Sequence, residues 1–365
     1  MSGMSRNVPA RLAVRLSATV LAAALAGSVV SCRDTSRSVA PRSGLRPYLP
    51  SKSPAPAAGV VISAPLFGLD AASDGSLHAA TGAGVFAIRA GAAESIAQLP
   101  GVNGVASLGV GDAFIVTGGS LDPSQIFPTS RQLFRISNGG VHQVADLWAY
   151  EQTVNPDQSW NQGPLAVESN PFDVAVLHGG RVLVADAAAN DILVVDANGT
   201  IDWVAVLTPV DLPPGQIDPQ PVPTSIAIGP DGAYYVGELT GFPAIPGLSR
   251  VWRIAPGSRH VTCPSSACTL VAGGFTSIID LEFGPDGTLY VVEFDEASWL
   301  GVEAKGFIKT AAGGTVSACS IGGSCSVVAN NLSLPTAIAV DKTGTLWIAE
   351  HESVLFAGAR VHRLP

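Results

Sequence analysis

Ser225–Glu238 reads SIAIGPDGAYYVGE, and Asp280–Glu293, starting 55 residues later, reads DLEFGPDGTLYVVE. Each is an apolar strand, a Pro-Asp-Gly turn and a second apolar strand. Gly accepts the positive φ that tight hairpins need, so Asp231-Gly232 and Asp286-Gly287 mark the turns. Four more segments of 14 residues align with these two without gaps: Gly68–Thr81, Gly104–Thr117, Asp173–Asp186 and Ala337–Glu350. The last four copies start 52, 55 and 57 residues apart. A period of that length belongs to a propeller blade. The expected fold is therefore all-β: a β-propeller of about six blades, each of four antiparallel strands. The aligned hairpin supplies strands A and B. Strand C follows, as at Asp191–Val195 and Arg250–Ile254, then strand D, as at Trp203–Val206 and Thr269–Ala272. The chain ends after a C strand near Ala359–Leu364, so Gly59–Ser63 is expected to complete the last blade and close the ring.

Composition agrees. The 365 residues are 47% hydrophobic and only 13% charged, with 40 Gly and 27 Pro, which suits short strands and tight turns. The net charge of −9 argues against a nucleic-acid partner, which needs a basic surface.

The start of the chain reads as an export signal. Arg6, Arg11 and Arg15 precede an apolar run from Leu16 to Val30, followed by Ser31-Cys32. That ending resembles the lipobox of bacterial lipoproteins, so residues 1–31 are expected to be a signal peptide and Cys32 the lipidated first residue. The competing reading is an ordinary signal peptide cut nearby. Residues 32–58 are Ser-, Pro- and Arg-rich and read as a flexible tether, with residues 59–365 as the propeller. The tether stretch 33–52 carries +4, and residues 53–365 carry −16. The expected product is an exported bacterial lipoprotein, held to a membrane through Cys32 and facing the periplasm or cell exterior. It is expected to be a monomer.

With Cys32 lipidated, four cysteines remain, in two close pairs. An even count in an exported protein reads as disulfides, Cys263–Cys268 and Cys319–Cys325. Zinc is the rival reading, but neither pair has Cys-x-x-Cys spacing.

Loop lengths are uneven. The long connections are 118–131, 148–170, 208–222, 239–249 and 294–306. All are B–C or D–A connections, which share one face of a propeller. A protein or small-molecule ligand is expected there. The last repeat position holds Asp186, Glu238, Glu293 and Glu350; with Asn170 these are the candidate binding residues of that face. The alternative is that each carboxylate ties its turn by accepting backbone N–H bonds. His351, between Glu350 and Glu352, is the candidate general base, against a plain polar loop residue. No Gly-x-Ser-x-Gly, P-loop or His-Glu-x-x-His motif occurs.

A second set is acidic. Repeat positions one and three share a strand face and should point to the central channel, while positions two and four pack between blades. Asp70, Asp173, Asp280 and Glu282 fall in the channel set. Converging carboxylates repel unless protonated or neutralised by a cation, and oxygen ligands suit Ca²⁺. A water-filled channel with hydrated carboxylates is the alternative.

Segments Val222–Pro243, Gly274–Glu293 and Glu168–Val184 resemble the ScyD/ScyE family of exported propeller proteins, most specifically through Tyr235–Pro243 (YVGELTGFP). That resemblance implies an NHL-like propeller and carries over no catalytic residue. The lipobox and the cysteine pairs depart from it. Two functions are expected on this reading: a non-catalytic binding module at a membrane surface, or a divalent-metal-dependent hydrolase similar to gluconolactonase-like propellers.

Overall fold

The structure, a computed structural model, describes residues 59–364 apart from 121–122, 163–165, 352–353 and 356–357. The expected signal peptide, Cys32 and tether lie outside the described residues.

Six antiparallel sheets follow one another along the chain, and each aligned segment is the A–B hairpin of one. Blade 4 is representative: Pro223–Ile228, Tyr234–Glu238, Ser249–Ile254 and Cys268–Phe275. The A–B connection is a tight turn because Asp231 Oδ1 accepts the Ala233 N–H at 3.2 Å and Gly232 takes φ of 74°. Position two of every repeat is buried between blades: Leu69, Val105, Val174, Ile226, Leu281 and Ile338. The apolar clusters follow suit; one joins Leu183 and Val194 of blade 3 to Val236 and Trp252 of blade 4.

The ring closes as expected. Val60–Ile62 pairs antiparallel with Ala359–Arg363, with Val61 opposite Arg360, so the first strand is strand D of blade 6. Both disulfides are present, in C–D connections of blades 4 and 5. The first does more than the sequence suggests. Val261–Cys263 adds a fifth, parallel strand to blade 3 beside Ile201–Leu207, with Leu207 opposite Cys263. The connection of one blade thereby covers the outer edge of the blade before it.

Two short helices were not expected from the strand pattern: Leu147–Val154, capped by Asp146 Oδ1 on the Ala149 N–H at 3.0 Å, and Ser298–Glu303. Both sit on the loop-rich face. Among the described residues no helix is long and apolar enough to cross a membrane.

Candidate functional site

Every A strand carries a bulge at the residue before the repeat, where register shifts by one. A bulge re-aims the side chain that it leaves unpaired. The six bulge residues alternate in kind. Odd blades have Phe67, Phe172 and Ile279; even blades have Asn103, Thr224 and Thr336.

The apolar three meet in one buried cluster. Phe67 and Phe172 belong to blades that are not neighbours, yet their rings lie 6.2 Å apart. They meet over the axis and form a dry plug at the loop-rich end of the channel. The polar three reach sideways to a backbone carbonyl of the following odd blade: Asn103 Nδ2 to Pro171 O at 3.1 Å, Thr224 Oγ1 to Ile278 O at 2.8 Å, and Thr336 Oγ1 to Leu66 O at 2.6 Å.

The odd blades answer with carboxylates. Asp70, Asp173 and Asp280 each accept two backbone N–H groups, one from the next residue and one from the next blade. The cross-blade donors are Ser107 N at 2.6 Å, Ile226 N at 2.8 Å and Ile338 N at 2.7 Å. An innermost strand is a sheet edge, so half of its N–H groups lack a ladder partner. These aspartates supply it. Acid clasps thus join blades 1–2, 3–4 and 5–6, and hydroxyl or amide clasps join 2–3, 4–5 and 6–1. Blades also approach closely here: a Cβ on Gly104 would sit 2.7 Å from Phe172 O.

Below the plug the expected channel residues line one cavity of about 270 Å³, Asp70, Asp173, Asp280 and Glu282 together. Burial pushes Asp70 up to about 6, Asp173 to about 7 and Glu282 to about 8; burial and then Asp173 raise Asp280. Partial exposure moderates these penalties, since Asp70, Asp173 and Glu282 are only half-buried. Among the described residues, no three His, Cys, Asp or Glu side chains converge at metal-ligand geometry. The four carboxylates share a cavity without forming a cage.

The structure also places the candidate residues of the loop-rich face, and most turn inward. Asp186 accepts the Asn170 N–H at 2.6 Å and the Ser169 hydroxyl at 2.5 Å. Glu293 accepts the Thr276 N–H at 2.6 Å, and Glu350 the Ser333 N–H at 2.6 Å. Each ties the strand entering its own blade. Glu238 instead forms a two-point bond with Arg250 at 2.6 and 2.9 Å and takes the Trp252 indole N–H. Asn170 Oδ1 accepts the Gly119 N–H at 2.8 Å. His351 is no loop residue: it ends strand Leu346–His351, fully buried. Its Nδ1 lies 3.2 Å from Leu334 O, and its Nε2 accepts the Leu66 N–H at 3.5 Å, across the seam between blades 6 and 1. Burial pushes this imidazole down to about 4, so it is neutral and occupied on both sides.

Beside exposed polar residues such as Asp211, Gln216 and Asp218, the long connections hold several large apolar side chains in solvent. Ile126, Phe127, Val167, Ile217 and Ile308 are each 40–51% exposed, and all belong to B–C or D–A connections. Sequence reading missed these five because exposure, not residue type, distinguishes them. It also missed a buried acidic group under helix Leu147–Val154, where Glu151, Asp157 and Asp191 meet Asp186. The signal available was the unusual pair Asn190-Asp191 opening a C strand.

No family model matches the chain, and no curated protein matches it in sequence. Solved structures do. A Bacteroides thetaiotaomicron protein of unknown function aligns at 13% identity over 86% of this chain and 71% of its own, with a TM-score of 0.53. A proposed oxidoreductase (glucose dehydrogenase) from Thermus thermophilus aligns at 15% identity over 85% of this chain and 99% of its own, also at 0.53. Virginiamycin B lyase from Staphylococcus aureus aligns more loosely, at 14% identity over 68% of this chain with a TM-score of 0.41; the chain spans 62% of that protein's length. At such identities the likeness establishes the propeller fold alone.

Proposed function

We propose that this chain is an exported, membrane-anchored binding module that presents its loop-rich face to a protein or an apolar small ligand. The observation that carries this reading is the exposure of Ile126, Phe127, Val167, Ile217 and Ile308, each on a B–C or D–A connection of the loop-rich face. Apolar side chains held out on a rigid scaffold lose water when a partner covers them. The dry plug of Phe67, Phe172 and Ile279 lies between that face and the carboxylate cavity, so binding there needs no access to the channel. The two disulfides support an oxidising compartment. Cys32, after its lipobox, supplies the anchor in this reading.

The test is crosslinking in intact cells with the full-length protein. Phe127→Asp and Ile217→Asp should lose the adducts, and Val110→Asp should keep them, since Val110 is exposed at an A–B turn on the opposite face. Equal adducts from all three would refute the reading. Cys32→Ala should release the protein from the membrane fraction; unchanged partitioning would refute the anchor.

A second reading is a divalent-metal-dependent hydrolase, favoured by the four carboxylates on one cavity. It predicts thermal stabilisation by Ca²⁺ that disappears in Asp280→Asn, together with lactone hydrolysis. A Ca²⁺ response independent of Asp280 would set it aside.

A further inference from the structure

Blade 6 closes the propeller, and it holds two buried histidines whose surroundings ask for opposite protonation states. His362, on strand Ala359–Arg363, is 4% exposed. Its Nδ1 lies 3.0 Å from Arg363 O and its Nε2 lies 2.6 Å from Glu350 Oε2. Both neighbours are acceptors, so each nitrogen needs a hydrogen, and only the imidazolium has two. The other Glu350 oxygen accepts the Ser333 N–H at 2.6 Å, as a carboxylate does. His351 is 0% exposed and faces one acceptor and one donor. Its Nδ1 lies 3.2 Å from Leu334 O, and the Leu66 N–H points at its Nε2 from 3.5 Å. A single neutral tautomer, protonated on Nδ1, fits that pair. A second proton on Nε2 would meet the Leu66 N–H head on.

One run of hydrogen bonds joins the two imidazoles. It passes from His362 to Glu350 and from Glu350 to the Ser333 N–H. Ser333 Oγ donates to His351 O at 2.7 Å, and the His351 N–H donates to Ser333 O at 2.9 Å. Leu334 then holds the His351 imidazole, which reaches Leu66 of blade 1. Ser333 and Leu334 carry the chain from blade 5 into blade 6. The strand that bears His362 is also the one on which Val60–Ile62 closes the propeller.

Few charges act on either group. Glu350 faces His362 from the neighbouring strand, Arg360 opposes it from its own strand, and Val60–Ile62 brings no ionisable side chain. Burial disfavours the His362 charge, yet the bonds to Glu350 and to the Arg363 carbonyl outweigh it and hold this imidazole above the ordinary histidine range. At His351 burial outweighs the bond to the Leu334 carbonyl and pushes the imidazole down to about 4.

We propose that blade 6 is a two-sided pH latch: its joints to blade 5, to blade 1 and to the closing strand are tight only while His362 keeps its proton and His351 lacks one. The His362 contribution is complete below about pH 6.5 and is lost as pH rises through its higher folded value. The His351 contribution is complete above about pH 6.5 and is lost as pH falls towards about 4. The latch is therefore tightest near about pH 6.5. It needs neither an ion in the channel nor a partner on the loop-rich face.

The test is nitrogen-15 NMR of the full-length protein labelled in histidine, with amide hydrogen exchange corrected for its intrinsic pH dependence. Near about pH 6.5 His362 should show two protonated imidazole nitrogens and His351 one. Protection of the Ser333 amide should fall by up to about tenfold per pH unit on the alkaline side, the slope of one proton. Protection of the Leu66 amide should fall likewise on the acid side. His362→Gln should remove the alkaline limb alone, and His351→Gln the acid limb alone. Glu350→Gln should bring the His362 titration down, and Asp173→Asn in the channel should leave both limbs in place. Two results would overturn the proposal. One is a single protonated nitrogen on His362 near about pH 6.5, a measurement on the wild type that needs no variant to fold. The other is Ser333 exchange with the same pH dependence in His362→Gln as in the wild type, which would mean that other protons govern the seam.

Discussion

Asp173 of blade 3 holds the Ile226 N–H of blade 4 at 2.8 Å through one carboxylate oxygen, and its own neighbour Val174 N–H through the other at 2.8 Å. Both are edge N–H groups of innermost strands, so the contact satisfies two orphan donors and joins two blades at once. Asp70 and Asp280 repeat it, and Thr224 and Thr336 fill alternate seams with a hydroxyl. The ring is therefore clasped at all six seams, by an acid at three and by a hydroxyl or amide at the other three.

Asp173→Asn should lower stability by about 1–3 kcal/mol, because an amide can face only one of the two donors with its oxygen. Thr224→Val should cost about 1 kcal/mol, the usual net worth of a neutral hydrogen bond. Denaturant titration of each variant measures both. A change within about 0.3 kcal/mol, on the order of additivity error, would show the seam is not held this way.

The channel group also fixes the direction of pH dependence. Asp70, Asp173 and Glu282 ionise near about 6, 7 and 8 in the folded chain and near the ordinary carboxylate values when unfolded. Between those limits the folded state binds more protons, so stability should fall as pH rises from about 4.5 to about 8. His351 acts oppositely: buried and neutral down to about 4, it removes stability as pH falls below about 6.5. The acids outnumber it. The expected net outcome is a gain in stability on acidification from about pH 8 to about pH 5.5. Unfolding midpoints across that range check it, and Asp173→Asn should flatten the slope.

The blade count, the closing strand and both cysteine pairs were legible because each rests on local pattern. Asp-Gly turns, period-two burial and even cysteine spacing need no tertiary partner to be read. The channel placement of Asp70, Asp173, Asp280 and Glu282 followed from strand parity in the same way. Their use did not. It depends on the bulge at Phe67, Asn103, Phe172, Thr224, Ile279 and Thr336, which inverts parity for one residue and aims three side chains at the axis and three at a neighbour. A single extra residue in a strand is silent in an apolar pattern. His351 misled for a related reason: flanking glutamates suggested an exposed loop, whereas strand Leu346–His351 runs one residue past the aligned repeat into the buried layer beside Phe67.

Reducing the disulfides should separate two effects. Each closes a loop of five or six residues, worth about 2 kcal/mol in chain entropy. Cys319–Cys325 clips one hairpin, so Cys325→Ser should show that loss alone. Cys263–Cys268 also holds Val261–Cys263 against the outer edge of blade 3, where Thr208 Oγ1 donates to Cys263 O at 2.8 Å. Cys268→Ser should add fast hydrogen exchange at Ala205–Leu207, a segment of blade 3 that the blade 5 clip does not touch. Equal exchange in both variants would mean the fifth strand holds without its disulfide.

Ring closure gives the largest expected effect. Strand D of blade 6 comes from Val60–Ile62, so its pairing with Ala359–Arg363 joins the two ends of the chain. Ile62 and Val361 sit in the same buried cluster as Leu66 and Ala337, which ties blade 6 to blade 1. Removing residues 1–63 exposes the edge of Ala359–Arg363 and uncovers that cluster, while all six A–B hairpins remain intact. Burying a large aliphatic side chain is worth about 1.5–3 kcal/mol, and several are uncovered together, against a total stability of about 5–15 kcal/mol. The truncated chain should therefore lose cooperative unfolding or aggregate through its open edge. A disulfide between residues 61 and 360, introduced as Val61→Cys with Arg360→Cys in the full-length chain, should act oppositely. It closes a loop of about 300 residues and should add about 5–6 kcal/mol by chain entropy. If truncation leaves the midpoint unchanged and the crosslink adds nothing, the N-terminal strand is an ornament and the ring is held at its other seams.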